Sequence, residues 1–450
     1  MQETITENKM GVMPVGKLLF SMSAPMVASM LFQALYNVVD SMFVAMLSQD
    51  AMNAVSLSFP VQTLIIAFGI GTGVGMNTLI SRSLGEKDFE KANRAANTGI
   101  FLYICTALCF TLLGLLLARP FFEVQTSNER IISYGTSYIK ICLGLSFAVF
   151  AQVCAERLLQ STGRTNLSMV TQIVGTAVNL VFDPILIFGL LGFPRLEVAG
   201  AAVATVMGQT AAAITGFVLN IKKNPEISVK PRLIRPDREI SREIYRVGIP
   251  SIIMQSIGSV MNFFLNKILI GFTEAATAVF GAYYKIQSFI FLPVFGMNNA
   301  IVPIVSYNYG AGKKDRVRST VRFGIIAAVC IMCIGTALFE TIPHVLLKIF
   351  SPTDEMLKVG VTAFRIIGIH FPVAGFCIIA GAACQALRKP VYTLITSVMR
   401  QLVVLLPAAY LLSLTGRLEL VWFAFPIAEV MSLLLNIVFI RRAYRSIGLI

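Results

Sequence analysis

The 450-residue sequence contains only two histidines, one tryptophan and 13% charged residues. A soluble globular domain carries about 25% charged residues, so most of this chain cannot face water. Two histidines leave little basis for hydrolytic chemistry. The sequence has no Gly-x-x-x-x-Gly-Lys-Ser/Thr loop, so the chain cannot be an ATP-driven pump on its own. It also has no His/Cys cluster at metal spacing and no nucleophile elbow. The chain therefore reads as no enzyme, with no cofactor and no dedicated metal centre. Its eight cysteines (Cys105, Cys109, Cys142, Cys154, Cys330, Cys333, Cys377 and Cys384) all fall in apolar stretches. Cys330 and Cys333 form a Cys-x-x-Cys with Ile331 and Met332 between them and no histidine nearby, so packed free thiols are expected. The short polar N-terminus shows no signal-peptide cleavage pattern.

What the chain does have is long apolar runs. It is 56% hydrophobic, with a mean hydropathy of +0.76. A helix needs about 20 apolar residues to cross a bilayer. Twelve such spans fit, near 16–46, 53–80, 95–118, 131–156, 165–192, 198–221, 247–272, 277–306, 320–346, 357–386, 391–414 and 420–440. Several exceed the bilayer thickness, so tilted or kinked helices are expected.

A net charge of +14 could point to nucleic acid, but its distribution argues against that. Lys and Arg gather in alternate loops: Arg82 to Arg94, Arg157 and Arg164, Lys222 to Arg246, Lys313 to Arg322, Arg388 and Lys389, and Arg441 to Arg445. The intervening loops hold Asp50, Glu123, Glu129, Glu197, Glu274, Asp354, Glu355 and Glu419. This positive-inside pattern places both termini in the cytoplasm of a multi-pass protein of the bacterial inner membrane. The basic loops would rest on anionic lipid headgroups. Lipid is thus an expected partner and nucleic acid is not.

The longest polar connection, 222–246, lies at the midpoint. A shift of 225 residues sets Pro25 on Pro250, Asn37 on Asn262, Gln62 on Gln287, Gly71 on Gly296, Ser81 on Ser306, Gly85 on Gly310, Gly135 on Gly360 and Gln160 on Gln385. Hydropathy and loop charge coincide at the same shift. Each half has six spans, an even number, so the halves are parallel repeats about an axis along the membrane normal. The expected organisation is a cytoplasmic tail 1–15, an N-lobe 16–221, a linker 222–246, a C-lobe 247–440 and a basic tail 441–450. Such repeats usually enclose a substrate cavity at their interface.

Ionisable groups inside lipid are costly and point to function. Met26, Met30, Gln33, Asn37 and Asp40 are spaced four, three, four and three, on one face of the first span. Gln172, Thr176, Asn179 and Asp183 repeat the pattern in the fifth. Desolvation favours the protonated form of a carboxyl, which suits proton exchange. Ionised, carboxylate and amide oxygens suit a hard cation such as Na⁺. The bland alternative is that each Asp caps a kink, as Pro184 after Asp183 allows, or pairs with a buried base.

The equivalent positions of the second half hold Leu265 and Ala408, which favours an ion site in the N-lobe only. The second half offers Asn262, Asn266, Lys267, Tyr283, Tyr284, Lys285 and Gln287, as cavity lining or as interhelical hydrogen bonds. Lys267 and Lys285 lie well inside their spans and could pair with Glu156 or Glu429; Arg400 raises the same question. Glu156 reads as a solvated helix end and His370 as a packed ring. Met22, Met26 and Met30, one turn apart, would suit an adaptable cavity. The substrate-cavity candidates are Met30, Gln33, Gln62, Gln172, Thr176, Asn262, Asn266, Tyr283 and Gln287.

PxxxxxLFQALYNVVDSMFV in the first span, SRSLGEKD after the second and VGTAVNLVFDPILIFG in the fifth resemble the multidrug and toxic compound extrusion (MATE) family, in its MepA-type and DinF-like branch. The likeness runs from about residue 15 to 445. It implies an all-α membrane protein of twelve transmembrane helices in two pseudo-symmetric six-helix lobes, V-shaped and rocking for alternating access. It also implies antiport: multidrug efflux of amphipathic, often cationic compounds driven by H⁺ or Na⁺ entry, with antibiotic resistance as its outcome. The implied N-lobe cation site is Asp40, Asn179 and Asp183, with Asn37 on the same stripe, in a protein expected to be a monomer. NorM-like acids in the seventh and tenth spans are absent. SRSLGEKDFEKANRAA also fails to match the loop after the second helix of the major facilitator superfamily. A flippase for lipid-linked material is the alternative. Lys267 and Lys285 sit awkwardly with purely cationic cargo and could favour zwitterions or anions.

Overall fold

The computed structural model describes residues 7–449, apart from the Pro231 side chain. Among the described residues, ten single helices are long and apolar enough to cross a membrane: Val15–Leu47, Gln49–Gly85, Phe89–Glu123, Thr165–Phe188, Val198–Lys223, Arg238–Ile270, Glu274–Gly310, Lys314–Thr341, Pro390–Ser413 and Leu418–Ser446. Two further spans are broken helices: Glu129–Gly144 with Phe147–Ser161, bent by 45°, and Asp354–Gly368 with Phe371–Ala386, bent by 47°. With each bent pair counted once there are twelve spans, numbered one to twelve in chain order below.

The repeat is visible in individual contacts. Ser48 and Thr273 cap the second and eighth spans, and Asn128 and Thr353 cap the fourth and tenth. Each side-chain oxygen takes a backbone N–H that the first helical turn leaves free. Where a span breaks, carbonyls lose their helical donors inside the bilayer and need another. Thr111 donates to Leu143 O at 3.2 Å, and Thr336 donates to Gly368 O at 2.8 Å. Ser81 donates to Ser161 O, and Ser306 to Ala386 O. Every partner in these pairs lies 225 residues from its counterpart.

The chain forms two compact units, Ala28–Ile252 and residues up to Val27 together with Ile253 onward. The division thus falls inside spans one and seven, and not in the connection 222–246. Close approaches explain it. A Cβ on Gly71 would collide with Ile252 and stand 2.9 Å from Gly248 O. A Cβ on Gly296 would stand 2.9 Å from Val27 N. Gly71 and Gly296 are equivalent glycines, and Ile252 and Val27 are equivalent partners. The start of span seven therefore packs with the first unit, and the start of span one with the second.

The segments leading into those spans are fastened too. In the first unit, Ser228 N donates to Asn93 Oδ1 at 2.5 Å, Lys91 pairs with Glu243 at 3.1 Å and Arg94 with Asp237 at 2.6 Å. In the second, Met10 is fully buried, Asn308 donates to Met10 O at 2.9 Å, and Arg316 donates to Met13 O at 2.7 Å. Residues 7–14 are therefore a docked segment and not a loose tail. Residues 1–6 and 450 of the expected tails lie outside the described residues.

Two packing expectations need correction. Cys154, Cys377 and Cys384 are buried, but Cys105, Cys109, Cys330 and Cys333 are exposed, and all eight thiols are free. The four sit on the uncovered faces of spans three and nine, where a thiol serves as a small apolar group. Met22 and Met26 are packed, not open.

Candidate functional site

The site builds from spans five and six. A Cβ on Gly208 would lie 2.6 Å from Gly175 O, and one on Gly175 would lie 3.0 Å from Gly208 O. The two backbones touch, as small residues allow between membrane helices. This seam fixes the polar face of span five. Gln172, Thr176, Asn179 and Asp183 are all buried on it, and Asp183 is fully enclosed.

Asn179 Nδ2 donates to Asp183 Oδ1 at 3.2 Å, one helical turn away. Asp40 of span one is 8% exposed, and its carboxyl lies within hydrogen-bond reach of the Asp183 carboxyl. Among the described residues neither acid has an ion-pair partner, and Asp40 Oδ1, Asp183 Oδ2, Asn179 Oδ1 and Thr176 Oγ1 accept or donate no hydrogen bond. Two carboxylates at about 4 Å repel by roughly 4 kcal/mol even at an effective dielectric near 20. Carboxyl oxygens in mutual contact therefore need a proton or a cation between them. The three bare oxygens of Asp40, Asp183 and Asn179 are acceptors only, which is the donor set of a hard cation and equally of a bound proton.

Two residues beside the acids were missed in the sequence. Tyr36 hydroxyl meets Thr205 Oγ1 at 3.3 Å. Tyr36 stands one turn before Asp40, on its face, so the spacing that selected Asp40 could have selected it. Thr205 has no sequence signal; it arrives through the Gly175–Gly208 seam, three residues before Gly208.

Other candidates fall elsewhere. Asn37 and Gln33 are exposed, and the Asn37 side chain joins neither acid. At 100° per residue Asn37 lies about 60° off Asp40, at the margin of the stripe. Gln62 donates to Tyr138 hydroxyl at 2.9 Å. Gln172 accepts from Gln152 at 3.2 Å, and Gln152 also donates to Glu156 at 3.0 Å. Glu156 is held by Gln152 and Thr171, so it is not a solvated helix end. Met30 is half-buried, as are Asn262, Asn266 and Gln287, whereas Tyr283 is buried. Lys267 and Lys285 are exposed and pair with neither Glu156 nor Glu429; Lys285 lies 5.8 Å from the Phe350 ring. Glu429 pairs with Arg400 at 3.2 Å, because spans eleven and twelve are neighbours. His370 packs at the bend of span ten, its Nδ1 2.5 Å from Ile367 O and its ring stacked on Phe425. A groove of about 550 Å³ between Leu145–Ala151 and Val206–Ile221 is almost wholly apolar and contains none of the acids.

The MatE family model matches residues 25–185 and 250–411. The chain is 28% identical over 374 residues to the multidrug export protein MepA of Staphylococcus aureus strain MSSA476, covering 80% of this chain and 81% of that protein. It is 26% identical to MepA of Staphylococcus haemolyticus, covering 80% of each. It also superposes on an outward-facing multidrug resistance MATE family transporter of the MOP superfamily, with a TM-score of 0.92 at 25% identity over the whole of both chains.

Proposed function

The chain belongs to the MatE family, and from that premise we propose that it is a secondary antiporter. It exports amphipathic organic compounds across a bacterial plasma membrane in exchange for H⁺ or Na⁺ carried by Asp40, Asn179 and Asp183. One observation carries this reading: two intramembrane carboxyls in contact with no basic partner, beside an amide oxygen that accepts nothing.

Loading and unloading change the local energy by the carboxylate repulsion. An occupied site draws Asp40 of span one and Asp183 of span five together, and an empty one drives them apart. A cation entering from outside can thus bias span one between two positions, which is what alternating access requires. The alternate loading of the basic and acidic loops favours both termini on the cytoplasmic side.

The test is dye efflux from proteoliposomes under an imposed proton gradient, then under a sodium gradient. We expect one gradient to drive wild-type export. Asp183→Asn keeps the shape and removes the charge, so it should abolish gradient-driven export while the protein still inserts. Export by Asp183→Asn and Asp40→Asn at the wild-type rate, against a gradient, would make the acids structural.

A further inference from the structure

A second charged site lies wholly inside the other unit. Arg400 sits mid-way along span eleven, where an arginine is costly to insert. It is the second residue of a π-helical run, Met399–Leu405, within an otherwise α-helical span. Pro407 follows and cannot donate to Val403 O. Such wide turns concentrate at functional sites.

A guanidinium has five N–H donors. Arg400 uses Nη1 on Glu429 Oε2, at 3.2 Å, and makes no other hydrogen bond among the described residues. Glu429 Oε1 and Tyr283 hydroxyl are buried beside it without partners. The Glu429 side chain is 4% exposed, whereas that of Arg400 is 31% exposed. The acid is therefore the enclosed member of the pair and the guanidinium the open one. Cys377 lies within hydrogen-bond reach of the Glu429 carboxyl, His370 and Tyr283 are near enough to feel the pair's charges, and the His370 Nδ1 is already engaged by Ile367 O.

Stability does not explain the pair. Apolar residues in place of a buried ion pair are often neutral or stabilising. The first repeat builds the same two spans with Gly175 and Ala204 at the equivalent positions. The fold thus has no need of the charge.

We infer that Arg400, backed by Glu429, is a carboxylate-binding site within the second repeat that takes the acidic group of amphipathic compounds. A carboxylate matches the guanidinium fork with two parallel hydrogen bonds. Glu429 cancels the guanidinium's single charge, so recognition rests on the free N–H donors and not on net charge, which disfavours a phosphate dianion. The site goes beyond the export reading and rests on it only in taking the ligand to be cargo. Binding is read without a gradient, so either idea can fail alone.

The experiment uses purified full-length protein and two fluorescent dyes. Rhodamine B carries a free carboxylate, and its ethyl ester has the same cationic xanthene without one. Arg400→Gln should weaken rhodamine B binding by about tenfold or more, since charged hydrogen bonds contribute roughly 1.5–3 kcal/mol. The ester should change less than about twofold. Glu429→Gln leaves the guanidinium charge uncompensated, so rhodamine B should bind several-fold tighter and the ester no tighter. The double variant Arg400→Gln with Glu429→Gln removes both charges together and should behave as Arg400→Gln. Equal losses for both dyes, an unchanged rhodamine B affinity, or no saturable rhodamine B binding to the wild type would each overturn the inference.

Discussion

Spans five and six hold the same places in the first repeat as eleven and twelve in the second, yet their seams are opposites. Gly175 and Gly208 let two backbones touch; their counterparts are Arg400 and Leu433. Ala204 corresponds to Glu429, and Asp183 to Ala408. The first repeat thus carries two acids in contact with no base, and the second carries an acid with its own arginine. A self-balanced pair needs no visiting cation, whereas an unbalanced one does. The shared contacts at Gly71 and Gly296, Ser81 and Ser306, and Thr111 and Thr336 show which features packing demands. What differs between the repeats is free to serve chemistry.

The largest effect should come from making the first repeat resemble the second. Asp40→Leu with Asp183→Ala should reduce gradient-driven export to background. The thermal midpoint of the purified protein should hold or rise, because two buried charges are gone. Retained export, or a collapse in stability, would break the comparison. Next comes the seam. Gly208→Leu installs the residue of the second repeat where a Cβ would stand 2.6 Å from Gly175 O. Overpacking of this kind costs about 1–3 kcal/mol, seen as a lower melting temperature, and Gly208→Ala should cost less.

The smallest effect concerns the clamps. Arg94 hydrogen-bonds Asp237 and holds its carboxyl below the usual value of 3.8. A lowered acid stabilises above its unfolded value and loses that contribution as pH falls through the folded one. Asp237→Asn should therefore lower stability slightly at pH 7, by no more than about 0.5 kcal/mol for so exposed a pair. The difference from wild type should shrink as pH falls below 3.8 and vanish once the wild-type carboxyl is itself protonated. Asp237 Oδ1 also caps span seven, and Asn can keep that role.

The spans, the repeat and the acid pair were legible in the sequence because each rests on a local signal. Long apolar runs, a fixed shift and three-four spacing around Asp40 and Asp183 all survive without knowledge of neighbours. Asn37 shows where that signal blurs, at the margin of a helical stripe. Thr205 and the partner of Glu429 depend on which spans adjoin, and Arg400 carried no mark separating it from Lys267 or Lys285. The unit division was hidden for the same reason. A polar connection at 222–246 looks like a boundary, but packing of the first turns of spans one and seven decides the matter.

That exchange of helix starts has a consequence for any half-length chain. Residues up to Val27 find their partners beyond Ile253, and residues approaching Ile252 find theirs before them. One repeat made alone would expose both an unfilled socket and an unhoused helix start. Two separate copies would have to trade these pieces, as domain-swapped dimers do. Joining the copies in one gene turns the trade into an event within one molecule, independent of concentration. A proteolytic cut between 222 and 246 would accordingly leave each fragment with a helix start belonging to the other's unit, and the two should co-purify.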